Sequence, residues 1–434
     1  MGQDPRLMEL GATHDRTFPV ERPRADVERE VADRLATLKA ERDAVCTLID
    51  ERKDDIVSCL QELVRIPSVN PSPEGEKPLA DYVARLMREM DMEVQQIEPL
   101  PTRVSNLGVL AGTRRDRSLL YYAHLDTVAA GDESEWRFPP FSAEVADGRV
   151  WGRGTKDCKL GMAAALMAIH MIREAGIRLA GDIQLVTPAD EEAGGYWGLA
   201  QMVSRGMIKA DWAIYGEGRP DSITIGHRGN AKIDVTTHGK TAHTAWKNLG
   251  DNAILKMCEI APAIDQLEYH GWKPHPIIPG GVTGSVNLVR GGVGENVVPD
   301  RCTITVDIRF PPGVNAEMIL DNIHSAISRV QSVSSQDVTV TLRRYGRPSY
   351  VPKDLPLVIY MQRTVEAITG RYPVAEGMEA SSDSRWLVLD AGIPTVNFSM
   401  GNSSGHMPNE WAGIQDLLDT TKVYATMALL LLTD

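Results

Sequence analysis

The sequence of 434 residues predicts an α/β protein in which a catalytic-sized domain with a mostly parallel central sheet is interrupted by a ferredoxin-like (split βαβ) domain. Apolar strand-like segments alternate with helical segments over residues 80–220, which is typical of a sheet covered by helices. Further on, the order changes to strand, helix, strand, strand, helix, strand. The larger domain is therefore predicted to comprise residues 51–227 and 346–434, and the smaller domain residues 228–345.

The first predicted elements are helices, and strands join them further along the chain. Residues 25–65 have helical periodicity and a strongly charged surface, while residues 1–50 form an N-terminal extension without an assigned role. The next predicted helices have the sequences LADYVARLMREM, GMAAALMAIHMIREAG and WGLAQMVSRG. The predicted strands between and after them have the sequences NLGVLAG, SLLYYAHLD, DIQLVTPAD and DWAIYGEG.

The segment ITIGHRGNAKIDVTTHG reads as one long strand of alternating polarity that leads into the smaller domain. Within that domain we predict helices NAILKMCEIAPAIDQL and NAEMILDNIHSAISRVQS, and strands GSVNLVRGG, RCTITVDIRF and DVTVTLRRY. The α/β alternation then resumes with helix PLVIYMQRTVEAITG, strand PTVNFSM and a final apolar helix.

Composition excludes several classes of function. Hydrophobic residues make up 43% and charged residues 24% of the chain, as in ordinary globular proteins. The net charge of −13 argues against nucleic acid or an anionic membrane as a partner, but is compatible with cation binding. The five cysteines lack CxxC spacing, and the N-terminus lacks an apolar signal segment. We therefore expect reduced thiols in a cytoplasmic protein.

Histidine and acidic residues follow the predicted strands or lie in Gly-rich loops. They are His124, Asp126, Asp157, Glu191, Glu192, Glu217 and His406. Ligands of open α/β sheets bind beyond the carboxyl ends of the strands, so these side chains are expected to converge. Such a nitrogen and oxygen ligand set suits Zn²⁺, Co²⁺ or Mn²⁺, and serves two ions if one carboxylate bridges them. Asp126 lies two residues after His124 in an extended segment and is expected to hold its second ring nitrogen.

The motifs around these residues resemble the M20 family of dinuclear metallohydrolases. That family includes acetylornithine deacetylase, succinyl-diaminopimelate desuccinylase, aminoacylase and a glutamate carboxypeptidase. The resemblance covers roughly residues 50–434, and residues 1–50 lie outside it. It rests on AHLDTV, WGRGTKDCKLGMAAAL, PADEEAGG, YGEG, HGKTAHTAWKNLGDNAI, NVVPDRCTITVDIR, SSDSR and GHMPNE.

The resemblance implies a ligand set for two divalent ions, Zn²⁺ in the first place, with Co²⁺ and Mn²⁺ as alternatives. Asp157 would bridge the two ions and be followed by a cis peptide bond. His124 and Glu217 would complete one site, and Glu192 and His406 the other.

The resemblance also implies roles in catalysis and substrate binding. Glu191 would be the general base, and Asp126 would support the catalytic centre. His243, in a smaller domain that serves as lid and dimerisation domain, would stabilise the oxyanion across a homodimer interface. Asn296, Arg309 and Arg385 would hold the substrate. Arg385 is the best candidate for binding a substrate carboxylate, because its planar guanidinium offers two parallel donors.

Three functions remain open on the sequence. The first is hydrolysis of the amide bond of an N-acyl amino acid or dipeptide-like small molecule. The second is hydrolytic deamination of an aromatic amine on the same metals. The third, a non-catalytic metal-binding scaffold, is disfavoured because Glu191 is present together with every ligand. Tyr196 and Trp197 either pack in the core or form an aromatic wall for an aryl substrate, and Asp190 is expected to position the loop by hydrogen bonds.

Overall fold

The computed structural model describes residues 16–434, which divide into two compact units. The larger unit comprises Arg16–Ile225, Tyr350–Glu376 and Ser382–Asp434, and the smaller unit comprises Gly226–Ser349 and Gly377–Ser381. Residues 1–15 of the predicted extension lie outside the described residues.

The first part of the larger unit follows the predicted alternation of helices and strands. Its helices are α1 (Arg24–Thr37), α2 (Lys39–Glu51), α3 (Lys53–Arg65), α4 (Lys77–Glu89), α5 (Leu160–Glu174) and α6 (Leu199–Ser204). Its strands are β1 (Glu93–Leu100), β2 (Arg103–Leu110), β3 (Ser118–Tyr122), β4 (Glu144–Ala146), β5 (Arg149–Trp151), β6 (Asp182–Thr187), β7 (Trp212–Tyr215) and β8 (Ser222–His227).

The smaller unit contains a four-stranded antiparallel sheet and two helices. Its elements are β9 (Gly229–His238), β10 (Ala242–His243), α7 (Ala253–Asp265), β11 (Thr283–Gly291), β12 (Val297–Val298), β13 (Arg301–Phe310), α8 (Ala316–Ser328) and β14 (Val338–Gly346). The sheet order β11-β13-β9-β14 is that of the predicted split βαβ fold. Alternate residues of β9 and β13, such as Ile233 and Val306, are fully buried in one apolar cluster with residues of α7 and α8.

The chain then completes the larger unit. The last elements are β15 (Ser349–Tyr350), α9 (Pro356–Thr369), β16 (Val374–Met378), β17 (Thr395–Asn397), β18 (Trp411–Gly413) and α10 (Ile414–Leu432).

The main sheet confirms the predicted α/β class. Its strands run in the order β1-β2-β6-β3-β7-β17-β8-β15, and β16 also pairs with β8. Strands β6, β3, β7 and β17 are parallel neighbours, whereas β1, β2 and β8 add antiparallel flanks, so that the sheet as a whole is mixed. Because β6, β3 and β7 are parallel, the loops that follow them leave from the same edge of the sheet.

The structure differs from the predicted elements in several places. The single long strand predicted from residue 223 onwards is broken at Arg228, so that β8 joins the main sheet and β9 the smaller one. Strand β1 and the three-stranded sheet β18-β5-β4 were not predicted. Their short or polar sequences lack the apolar periodicity on which the prediction relied.

The N-terminal helices belong to the larger unit. Helix α1 packs on α9, and α2 packs on α10. The guanidinium of Arg24 donates hydrogen bonds to Gln362 Oε1 at 2.7 Å and to the Tyr372 hydroxyl at 2.6 Å. The described part of the predicted extension therefore covers helices of the larger unit. Among residues 16–434, every helix is too short or too polar to cross a membrane.

Candidate metal centre

Asp157 lies between two histidines in the turn before α5. Its Oδ1 is 2.9 Å from His124 Nε2, and its Oδ2 is 3.3 Å from His406 Nε2. The peptide bond between Asp157 and Cys158 is cis, as the resemblance implied. This arrangement places one carboxylate within reach of both predicted sites.

Asp157 also belongs to a cluster that fits a metal ion. Among residues 16–434, ligand atoms of Asp157, Glu192 and His406 lie within 4.8 Å of one another. Glu192 Oε1 is 3.0 Å from His406 Nε2. Hydrogen bonds that the His406 ring donates to the Asp157 and Glu192 carboxylates raise the pKa of His406 to about 10, because both carboxylates favour positive charge at this point. A divalent cation satisfies the same carboxylates, so this imidazole and carboxylate set fits Zn²⁺, Co²⁺ or Mn²⁺.

Asp126 positions its neighbours differently from the prediction. The nearest acceptor for Nδ1 of the buried His124 ring is the main-chain carbonyl of Asp126 at 2.9 Å, whereas the Asp126 carboxylate lies 3.5 Å away. That carboxylate accepts hydrogen bonds from the backbone N–H groups of Glu191 at 3.0 Å and Glu192 at 2.9 Å. Asp126 therefore connects the His124 loop to the loop of the two glutamates.

The loop after β6 is held by further polar contacts. Asp190 accepts a hydrogen bond from the Trp197 N–H at 3.0 Å, and Asn70 Nδ2 lies 3.1 Å from Asp126 Oδ2 and 3.4 Å from Asp190 Oδ1. These contacts agree with the positioning role expected for Asp190.

Burial raises the pKa of Glu191 well above its usual range, and the nearby carboxylate of Asp383 adds to the rise. The positive charge of bound metal ions would oppose this rise.

Glu217 follows β7, and its side chain makes an ion pair that sequence reasoning missed. Lys156 Nζ is 3.1 Å from Glu217 Oε1. The sequence places Lys156 immediately before the predicted bridging Asp157, but this position does not itself indicate a contact with Glu217.

Glu410 is a second residue that sequence reasoning missed. Its carboxylate is fully buried and forms an ion pair with Arg153 Nη1 at 2.7 Å. It also accepts hydrogen bonds from the backbone N–H groups of Gly154 at 3.1 Å, Lys156 at 2.9 Å and Asp157 at 3.1 Å. The available signal was the final Glu of GHMPNE, four residues after His406. Glu410 thereby connects the loop of one predicted ligand to the turn of another.

In the smaller unit, the structure brings His243 and Asn296 together. His243 pairs with Val297 between β10 and β12, and the Thr244 N–H donates to the Asn296 carbonyl at 3.0 Å. The His243 side chain is exposed, and its Nδ1 accepts a hydrogen bond from the Ala245 N–H at 3.1 Å.

Arg309, predicted to hold substrate, instead has its Nε 3.1 Å from Asp307 Oδ1 and its Nη1 3.3 Å from the Ser381 hydroxyl. Its predicted role remains a prediction.

Arg385 is 2% exposed, and its guanidinium donates to main-chain carbonyls of the protein. Its acceptors include Gly194 at 2.6 Å and Ser382 at 2.8 Å, and the Asp383 carboxylate lies 3.4 Å from Nη1. This geometry favours a role in holding the loop after Glu192 over the predicted contact with a substrate carboxylate.

Tyr196 is 1% exposed and packs edge-on against Trp386, with ring centroids 5.7 Å apart. For Tyr196, the packing alternative is therefore favoured over the aromatic wall.

Comparison with known proteins agrees with this centre. The model of Peptidase family M20/M25/M40 matches residues 120–430. The chain belongs to this family. As a member, it is a metal-dependent hydrolase that acts on C–N amide bonds.

Individual relatives of this M20 family chain cover most of its length. It is 28% identical to a succinyl-diaminopimelate desuccinylase of Rhodospirillum centenum over 385 residues, 86% of this chain and 96% of the relative. The M20 family metallo-carboxypeptidase Sso-CP2 from Sulfolobus solfataricus superposes with a TM-score of 0.72 at 18% identity, covering 87% of this chain and 98% of the other. A dinuclear metal binding peptidase of Bacillus subtilis superposes with a TM-score of 0.63 at 14% identity, covering 88% and 99%. The two structural likenesses show the fold.

Proposed function

We propose that this M20 family protein hydrolyses the amide bond of an N-acyl amino acid or dipeptide-like small molecule that carries a carboxylate. One observation supports this most directly. The Asp157 carboxylate lies 2.9 Å from His124 and 3.3 Å from His406, as expected of a group shared by two metal sites. The relatives named as a desuccinylase and a metallo-carboxypeptidase support an acyl amino acid or peptide substrate.

Two divalent metal ions are proposed as cofactors, with His124, Asp157 and Glu217 in one site and Asp157, Glu192 and His406 in the other. When bound, such ions polarise the scissile carbonyl and lower the pKa of a water molecule. The relative described as a dinuclear metal binding peptidase supports a pair of ions. The nitrogen and oxygen ligands suit Zn²⁺, Co²⁺ or Mn²⁺.

Glu191 is proposed as the general base. It directly precedes Glu192, and its backbone is held by the buried Asp126 carboxylate at 3.0 Å. Glu191 would take a proton from water and deliver it to the nitrogen of the leaving amine. A positioned base of this kind contributes roughly 10²–10⁴-fold to the rate.

A homodimer is proposed as the working assembly. The smaller unit exposes apolar side chains on α7, on β11 and in the loop after β11, among them Leu255, Val289 and Val293, which are 64%, 67% and 84% exposed. Strand β11 lies at the edge of its sheet, where a second copy can add by main-chain hydrogen bonds. In this proposal, His243 stabilises the oxyanion at the metal centre of the other subunit.

A substrate panel tests the reaction. Metal-free protein would be reconstituted with Zn²⁺, Co²⁺ or Mn²⁺ and assayed on N-acetyl, N-succinyl and N-aroyl amino acids and on dipeptides. We expect release of a free amino acid from at least one class, and no ammonia from aryl amines. Ammonia release from an aryl amine, without any amide cleavage, would contradict the proposal in favour of deamination.

A further inference from the structure

Lys156 is a cation inside the candidate metal centre. Its Nζ is 3.1 Å from Glu217 Oε1 and 4.0 Å from Asp157 Oδ2. Glu217 is a proposed ligand of one metal site, and Asp157 is the proposed bridge. The lysine side chain is only 13% exposed, so solvent screens the ion pair less than at an open surface.

The position of this side chain is fixed by its surroundings. The Lys156 N–H donates to the buried Glu410 carboxylate at 2.9 Å. The aliphatic stem lies against two glycines of the loop that carries His406. A Cβ atom at Gly405 would lie 3.1 Å from Lys156 Cδ, and one at Gly401 would lie 3.4 Å from Cγ and Cε. These glycines leave room for a long side chain that ends at Glu217.

We propose that Lys156 makes the two metal sites unequal by competing for Glu217. An ammonium group and a metal ion neutralise the same carboxylate, so an ion at the Glu217 site must displace Lys156 Nζ or share the oxygen with its charge. At the Asp157, Glu192 and His406 cluster the same ammonium lies farther away, 4.0 Å from Asp157 Oδ2 against 3.1 Å from Glu217 Oε1, so it competes less there and this cluster fills first. The inference rests on the proposed two-metal function and names a residue that regulates it.

Stepwise metal binding tests this inference. Metal-free full-length protein would be dialysed against increasing Co²⁺, with bound metal measured by elemental analysis. For the unmodified protein, we expect a tight first ion and a weaker second ion. In Lys156→Met the second dissociation constant should fall by about tenfold or more, in the range typical of residues next to ligands. The first constant should change by less than about threefold.

Two further variants control the experiment. Lys39→Met also removes one positive charge, but from an exposed lysine of α2 that pairs with Asp43, and should bind Co²⁺ like the unmodified protein. Lys156→Gln keeps a polar side chain without the charge, and the same fall in the second dissociation constant is expected. It replaces Lys156→Met if the methionine variant folds poorly. Circular dichroism of each metal-free variant establishes that it is folded before titration.

The outcomes separate the two proposals. A second constant that stays unchanged in both Lys156 variants overturns the role of Lys156 and leaves the two-metal centre intact. Two equal constants in the unmodified protein overturn it in the same way. A protein that binds no Co²⁺ in any form overturns the metal centre itself, and the role of Lys156 with it.

Discussion

Glu191 and Glu192 are adjacent in the chain, and both backbone N–H groups are held by Asp126, but only Glu192 contacts the imidazole of His406. We therefore predict that Glu191→Gln retains bound metal and lowers kcat by roughly 10²–10⁴-fold, because only the proton acceptor is lost. Elemental analysis and steady-state kinetics on the same preparation measure both quantities. Glu192→Gln is the matched control and should lose metal as well as activity. A normal kcat in Glu191→Gln would exclude Glu191 as the base.

The buried Glu410 predicts a different kind of effect. Removing its carboxylate leaves Arg153, which is 2% exposed, without its ion-pair partner. We expect Glu410→Ala to lower the free energy of unfolding by about 3–5 kcal/mol, as for other broken buried pairs. Urea denaturation of the metal-free protein measures this, with the exposed Glu41→Ala as a control that should change little.

The isosteric variant of Glu410 separates positioning from stability. A glutamine can still accept from the N–H groups of Lys156 and Asp157, but its amide loses the charge that pairs with Arg153. Glu410→Gln should therefore fold and bind metal about 10–100-fold more weakly, because the turn that carries Asp157 is less well oriented. Unchanged metal affinity in a folded Glu410→Gln protein would limit Glu410 to a structural role.

At the scale of elements, the first turn of α5 packs directly on the loop that carries Glu217. A Cβ atom at Gly161 would lie 2.1 Å from the carbonyl oxygen of Gly216. Gly161→Ala should therefore push helix and loop apart, lowering stability by about 1–3 kcal/mol and weakening metal binding. Thermal unfolding and Co²⁺ titration measure the two effects. Gly294→Ala, whose new atom would meet neighbours only at 3.7 Å, should have neither effect.

The helices and strands differ in how well the sequence pattern predicts them. Helices and strands with strong apolar periodicity, such as α5 and β6, were predicted because burial fixes their pattern. Strand β1 was missed because it lies at the sheet edge and has mostly exposed or half-buried residues. The break at Arg228 was missed because alternation continues through it, and only the pairing of β8 and β9 with different sheets reveals it.

The same limit applies to the candidate site. His124, Glu192 and Glu217 follow strands β3, β6 and β7, which the sequence pattern predicts, so their convergence follows from sheet topology. Partners brought together by loops far apart in the chain were not predictable from spacing. The sequence does not show that the Arg385 guanidinium donates to the Gly194 carbonyl, or that Lys156 reaches Glu217.

At the scale of the whole molecule, the proposed homodimer gives the exposed apolar side chains of the smaller unit a function. Substituting Leu255 and Val289 by aspartate should leave each subunit folded, because both side chains are at least 64% exposed, but should disfavour self-association through burial of charge. Analytical ultracentrifugation measures the assembly. Aspartate at the similarly exposed Val374, in the larger unit, is the matched control and should leave the assembly unchanged.

Complementation tests whether His243 acts in the partner subunit. His243→Ala and Glu191→Gln subunits, each inactive alone, would be mixed and allowed to exchange. In a mixed dimer, one centre keeps Glu191 and receives the intact His243 from the other chain. Random exchange makes half of the dimers mixed, with one intact centre of two, so about a quarter of the unmodified activity should return. Mass spectrometry verifies exchange. If mixed dimers form and remain inactive, His243 acts in its own subunit or has no role in the reaction, because both halves of an active centre were then available.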